Sequence, residues 1–160
     1  MIIELDLSSG DTIAMSRCLK SAFRRCEKSV HIELFGPGML IPDTALVLFE
    51  ILRTRPSGLQ LHVHTWSCLC DGSALLWLGA DTRSMRSDTW IQIPMAPEAD
   101  DEADSPATTD MRTIVSHMGE WLPVDELKGR RLFQAELKEL GLLDDEETQT
   151  RLLEMFRGKP

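Results

Sequence analysis

The first 93 residues alternate between short extended segments and helical segments, and this alternation constrains the fold more than any other feature of the sequence. Residues 2–7 alternate apolar and acidic side chains, which predicts a half-buried strand before the turn at Ser8-Ser9-Gly10. Further strands are predicted at 30–35, 59–65 and 89–93, and helices after a cap at Asp11, at 44–53 and at 72–78. Because strands that alternate with helices form parallel sheets, the sequence predicts an α/β fold with a mainly parallel sheet.

The pattern changes after residue 93. Residues 94–109 are rich in proline, alanine and acid, which predicts a flexible loop. Beyond this loop the apolar spacing predicts helices at about 111–121, 134–140 and 146–156, and Gly141 is a suitable C-cap for the second of them. A length of 160 residues fits one domain, so we expect a single domain over residues 1–160.

Charge and cysteine content narrow the classes of partner and compartment. The net charge of −9 argues against a nucleic-acid partner, because phosphate binding needs clustered Lys and Arg. The sequence has no apolar run near the roughly 20 residues that a membrane span requires, and its N-terminus lacks the basic start and apolar centre of a signal peptide. We therefore expect a cytoplasmic protein whose four cysteines are mainly reduced, with Cys18 and Cys26 packed as small apolar side chains.

Four stretches, taken in order along the chain, match the pattern of a known family. They are IELFGPGMLIPDTALVLFEIL, SCLCDGSALLWLGADTR, WIQIP and FQAELKELGLLDD, which together cover much of residues 30 to 145. In this ordered set the chain resembles the Clp protease proteolytic subunit family, the ClpP-like branch of the ClpP/crotonase superfamily. The resemblance implies a spiral of ββα units with a mainly parallel sheet and C-terminal helices.

The resemblance also implies a serine triad, and each position of that triad is substituted in this chain. The nucleophile position falls on Cys70, the histidine position on Gln92 and the aspartate position on Gly129. A thiol is nucleophilic only as a thiolate, which needs a base or a positive field to form at neutral pH. Because a glutamine amide does not accept a proton near pH 7 and glycine has no side chain, the resemblance predicts a degenerate, inactive site.

The two oxyanion-hole positions that the resemblance implies are Met39 and Asp71. Methionine stands where the family has the second glycine of its Gly-Gly turn, and it adds bulk where a substrate would lie. Trp66 replaces a family glycine at the start of the nucleophile segment, so we expect its ring, or that of Trp90, to fill the same site. These substitutions indicate that large side chains occupy the site, rather than that the site has been adapted to another reaction.

The leading hypothesis is a catalytically inactive ClpP-like protein that serves as an assembly or binding subunit. The resemblance implies self-association or mixing with a related subunit, and no cofactor or metal. The family joins two rings through a long handle helix, and the interval from residue 93 to 115 is short for such a helix. The resemblance therefore argues against a stacked double ring here.

Three alternatives remain open from the residues. The chain could be a hydrolase that uses Cys70 with a base recruited from elsewhere, His64 or His117, or an enzyme of acyl-CoA chemistry as in the crotonase branch. The pattern H-x-H-x₃-C-x-C, formed by His62, His64, Cys68 and Cys70, offers four soft metal ligands within nine residues. Its spacing matches no standard zinc motif, and two histidines on one strand face, covered by a helix, together with two buried thiols are the favoured explanation.

Overall fold

The computed structural model describes residues 1–95, 105–144, 149–151 and 154 as two four-stranded sheets with packed helices. The strands are β1 (Ile2–Asp6), β2 (Ser29–Phe35), β3 (Gly38–Leu40), β4 (Gln60–Thr65), β5 (Leu69–Asp71), β6 (Thr82–Met85), β7 (Trp90–Gln92) and β8 (Arg131–Phe133). The helices are α1 (Thr12–Arg25), α2 (Pro42–Arg53), α3 (Gly72–Leu78), α4 (Pro106–Met118), α5 (Val124–Leu127) and α6 (Gln134–Glu139). The α/β class with a mainly parallel sheet is confirmed.

The first sheet has the order β1-β2-β4-β6 and is parallel throughout. One face carries the apolar side chains of alternate residues, among them Leu5, Leu34 and Val63, all buried in the core. The opposite face carries polar side chains on β2, β4 and β6 that are also buried. Strand alternation was therefore predicted correctly, and both faces of β2 and β4 are buried although a polar face usually indicates solvent.

The second sheet has the order β3-β5-β7-β8, with β7 and β8 antiparallel and the other pairs parallel. The sequence predicted only one of these strands, because segments of three residues are too short to show a period. The break at Gly36 is real, since its φ of +83° turns the chain, and the chain then resumes as β3 in the other sheet. In the units β2-β3-α2 and β4-β5-α3, one strand enters each sheet, as the resemblance implied.

Helix α1 begins as the sequence predicted. The Asp11 carboxylate accepts a hydrogen bond from the Ala14 N–H at 2.9 Å, and Leu19, Ala22 and Phe23 bury one face of the helix. Cys18 is half-buried and packs at the edge of the core rather than within it. Helix α3 is buried along its whole length, with Trp77 fully inaccessible, which confirms the predicted buried helix.

Helix α4 begins at Pro106, five residues before the predicted start. The Ser105 hydroxyl accepts the Thr108 N–H at 3.2 Å, and proline at the first helical position suits a helix start. The predicted loop is therefore wrong for residues 106–109, and its acidic part, 96–104, lies outside the described residues. In the predicted last helix, residues 149–151 and 154 are helical and the others lie outside the described residues.

Within the described residues, no helix has both the length and the apolar character needed to cross a membrane.

Candidate functional site

The turn from β5 into α3 is the most strained point of the described backbone. Asp71 has a φ of +49°, the only positive value outside glycine in the described residues. Such a sparsely populated conformation costs an L-residue about 1–3 kcal/mol and persists only where the surrounding structure enforces it. Cys70, the position that the resemblance assigns to the nucleophile, lies in β5 two residues before the buried helix α3.

Ser73 holds this turn against the neighbouring strand. Its buried hydroxyl accepts the Cys70 N–H at 3.1 Å and lies within hydrogen-bond distance of the carbonyl oxygens of Cys70 and Gly38. Gly72 permits the contact between helices, because a Cβ at this position would lie 2.3 Å from the Ala45 Cβ of α2. Gly72 and Ser73 are therefore explained by local packing, whatever chemistry the site performs.

The five site positions taken from the resemblance lie close together in the structure. Met39 of β3 is paired with Cys70 of β5, and the Leu69–Ile91 pair places Cys70 beside Gln92 of β7. The Gly129 N–H donates to the Ile93 carbonyl at 2.9 Å, one residue beyond Gln92. Asp71 follows Cys70 directly.

Met39, Cys70 and Gln92 lie on the outward face of the second sheet, which we call the open face. It is defined by Met39, Cys70, Trp90, Gln92, Arg131 and Phe133, which alternate along their strands with buried residues. Met39 is 66% exposed and Phe133 is 51% exposed. Sequence reasoning missed Arg131, which pairs with Gln92 across β7 and β8 and whose guanidinium carbon lies 4.4 Å from the Trp90 ring centroid. No sequence signal identified it, because it lies in a three-residue strand.

Trp66 does not lie on the open face. Its indole N–H donates to Glu33 Oε2 at 3.2 Å, and its ring meets the His64 ring edge-on at 4.6 Å between centroids. These contacts place Trp66 with the polar face of the first sheet. The prediction that its ring fills the site is therefore wrong, and of the two tryptophans it is Trp90 that lies on the open face.

The surroundings of the Cys70 thiol favour its protonated form. Burial raises the pKa of Cys70 above its ordinary value of 9.0, and the neighbouring Asp71 carboxylate and Cys68 thiol raise it further. Arg131 acts in the opposite direction but does not reverse the shift. The thiol is thus neutral at pH 7, the state in which it is a poor nucleophile.

All four histidines of the chain are described, and all have partners away from Cys70. His62 Nδ1 lies 2.7 Å from Thr82 Oγ1, and His62 Nε2 lies 2.8 Å from Ser84 Oγ. His64 Nδ1 lies 2.7 Å from the same Ser84 oxygen. His117 of α4 contacts Glu120 at 3.2 Å. The Cys70 Sγ has no hydrogen-bond partner among the described residues, so neither suggested base, His64 or His117, reaches it.

The metal ligands suggested by H-x-H-x₃-C-x-C are divided between the two sheets. His62 and His64 belong to β4 of the first sheet, whereas Cys70 belongs to β5 of the second. In the part of the chain that the structure describes, no group of three or more His, Cys, Asp or Glu side chains could hold a metal ion.

A buried polar ladder crosses the first sheet in two rows. The strand register aligns His31 with His62 and Thr82, and Glu33 with His64 and Ser84. The His31 and His62 rings stack with centroids 4.8 Å apart, and His31 Nε2 lies 3.3 Å from Glu33 Oε1. The sequence singled out only the β4 histidines, although β2 shows the same alternation.

Comparisons with known proteins support the fold. No protein-family model matches the chain, and no curated protein matches its sequence. Among solved structures, the catalytic domain of the ClpP protease from Plasmodium falciparum matches with a TM-score of 0.71 at 11% identity, covering 89% of this chain and 83% of that one. ClpP1 from Listeria monocytogenes matches with a TM-score of 0.64 at 12% identity, covering 93% of each chain. A monofunctional enoyl-CoA isomerase from M. smegmatis matches with a TM-score of 0.60 at 14% identity, covering 99% of this chain and 81% of that one.

These similarities define the class of the fold. The chain has the ClpP/crotonase fold, as the sequence resemblance predicted. At such low identity the shared property is the fold.

Proposed function

We propose that this protein is a catalytically inactive member of the ClpP-like group that acts in the cytoplasm as an assembly or binding subunit. The observation that carries the proposal is the environment of Cys70, whose pKa is raised and whose sulfur no histidine of the described residues contacts. In this proposal the protein retains the fold of the proteases but does not hydrolyse peptides.

The other family positions support the same conclusion. Gln92 lies beside Cys70 where the family has histidine, and an amide cannot take a proton from a thiol at neutral pH. Gly129 has a φ of +71°, a conformation that favours glycine and leaves no side chain to orient a base. The Asp71 carboxylate adds a negative charge where a developing oxyanion would need positive potential.

The open face fits a contact surface better than a reaction centre. Met39 is 66% exposed, Phe133 is 51% exposed, and the Arg131 guanidinium lies over the Trp90 ring. Large apolar side chains together with arginine and tryptophan are the residue types enriched at protein interfaces. We therefore propose that this face contacts another subunit or a binding partner.

The direct test is to measure turnover and oligomeric mass on the same preparation. We expect hydrolysis of fluorogenic peptides to equal that of a Cys70→Ala variant, and light scattering to give a mass above that of one chain. A site with its triad removed retains at most about 10³–10⁴-fold acceleration over water, whereas enzymes generally supply about 10⁶-fold or more.

A Cys26→Ala variant is the matched control, since Cys26 is another half-buried thiol, on a different element. Peptide cleavage that Cys70→Ala abolishes and Cys26→Ala leaves unchanged would establish the hydrolase instead. Turnover of an enoyl-CoA would establish the crotonase-type alternative, and a monomer at all concentrations would contradict the assembly role.

A further inference from the structure

Helix α1 presents a basic face on a strongly acidic protein. Residues 17–28 contain five basic residues and one acid, whereas the whole chain has a net charge of −9. Four of the five, Arg17, Lys20, Arg24 and Arg25, line one shallow surface depression together with Ser21. We call this set the α1 basic face.

The α1 basic face lies opposite the buried side of the helix. Leu19, Ala22 and Phe23 pack into the core, and the four basic residues are exposed. No carboxylate of the described residues forms an ion pair with any of the four. Arg24 and Arg25 in the last turn are favourable for the helix dipole, but this effect does not explain Arg17 and Lys20 earlier in the helix.

Unneutralised like charges at i, i+3 and i+4 spacing destabilise a helix slightly and attract an anionic partner. The sequence contains such a partner. Residues 98–104 read EADDEAD and carry five acids in seven positions with no basic residue. This stretch precedes α4, whose cap is Ser105, and α4 and α1 both pack against α2.

We propose that the α1 basic face binds the acidic stretch 98–104 of a second copy of this chain. The inference rests on the proposed self-association and specifies one contact within it. Each copy would supply one basic face and one acidic stretch, so the contact is heterologous and repeats around a closed ring or along an open chain of subunits. Because the α1 basic face is exposed, the contact is expected to weaken as salt screens the charges beyond a Debye length of about 10 Å at 0.1 M.

The test is a charge swap followed by light scattering at low and high salt. The helix-reversed variant changes the sign of three charges on α1, with Arg17→Glu, Lys20→Glu and Arg24→Glu. A second variant changes the sign of three charges in the acidic stretch, with Asp100→Lys, Asp101→Lys and Glu102→Lys. A third variant carries all six substitutions. We expect each single reversal to weaken association at least about 10-fold and the combination to restore it to within about 3-fold. A matched control reverses Arg53, Lys128 and Lys138 and changes the net charge by the same amount; we expect little effect.

Several outcomes would overturn the inference. Association unchanged by either reversal would exclude this contact while leaving the proposed assembly role intact. Equal weakening by the control, or no recovery in the combined variant, would show a general effect of net charge. If the acidic stretch binds the α1 basic face of its own chain, neither charge reversal changes the oligomeric mass.

A peptide-binding measurement separates this inference from the proposed function. A fluorescent peptide of residues 95–105 should bind the wild-type protein in low salt and bind the helix-reversed variant at least about 10-fold more weakly. Absence of binding, or preference of the same face for duplex DNA over the peptide, would contradict the proposed partner even if the protein self-associates. A wild-type protein that remains monomeric contradicts both the assembly role and this contact between copies, whereas a protein that self-associates but does not bind the peptide contradicts the contact alone.

Discussion

Replacing Gly38 by alanine is expected to lower the free energy of unfolding by at least about 3 kcal/mol, the upper part of the range for overpacked sites. A Cβ at this position would lie 1.8 Å from the Cys68 carbonyl oxygen and 2.8 Å from the Cys68 carbonyl carbon. Both atoms are backbone, so no change of side-chain rotamer relieves the overlap. Strands β3 and β5 would have to separate, which moves Met39 away from Cys70. Urea denaturation monitored by tryptophan fluorescence gives the change.

Gly141→Ala is the control that separates backbone strain from steric overlap. Gly141 has a φ of +69°, but a Cβ there would meet no atom within 4 Å. We expect this variant to lose only about 1–2 kcal/mol, the cost of a left-handed conformation for an L-residue. Equal losses in the two variants would contradict the close approach of β3 and β5.

Acidification from pH 7 to pH 5 is expected to destabilise the protein by about 2 kcal/mol through His62 alone. Burial, followed by the proximity of His31 and His64, lowers the pKa of His62 to about 3. In the unfolded chain the imidazole has an ordinary pKa near 6.5. Between these values the unfolded chain binds more protons, so the stability is complete above about pH 6.5 and declines as the pH falls towards 3.

The His62→Gln variant tests whether this residue is responsible. Removing the imidazole should reduce the slope of unfolding free energy against pH by up to one proton, or about 1.4 kcal/mol per pH unit, between pH 4 and 6. A glutamine side chain keeps a donor and an acceptor for the Thr82 and Ser84 hydroxyls. Identical slopes for the variant and the wild type would show that His62 does not titrate with a depressed pKa. Proton uptake on urea unfolding at pH 5 provides an independent reading of the same quantity.

The sequence predicted the elements with a long enough period to recognise. Helix α1 shows an apolar stripe over four turns and a cap at Asp11, and β2 and β4 are long enough to show alternation. Strands β3, β5 and β8 contain three residues each, and their existence depends on pairing with distant partners. The resemblance to a family supplied what local patterning could not, namely that the chain forms ββα units.

Matching motifs placed residues 39, 70, 71, 92 and 129 in one site, and their role there stays a prediction. The strand register and the hydrogen bond from Gly129 to Ile93 bring these residues near one another, but the sequence did not predict their surroundings. The environment depends on contacts between residues far apart in sequence. Arg131 lies on the open face because β8 pairs antiparallel with β7. Trp66 lies away from that face because its indole N–H donates to Glu33 of the first sheet. No local sequence pattern encodes either contact.

The reactivity of Cys70 towards iodoacetamide as a function of pH tests the central claim most directly. Residue-resolved mass spectrometry separates Cys70 from the other three cysteines. We predict that its alkylation rate rises with a midpoint above pH 9, that Asp71→Asn lowers the midpoint and that Arg131→Ala raises it, because those groups raise and lower the pKa of Cys70 respectively. A midpoint below about pH 7 would mean that a base or positive field forms the thiolate at neutral pH, and it would contradict an inactive site.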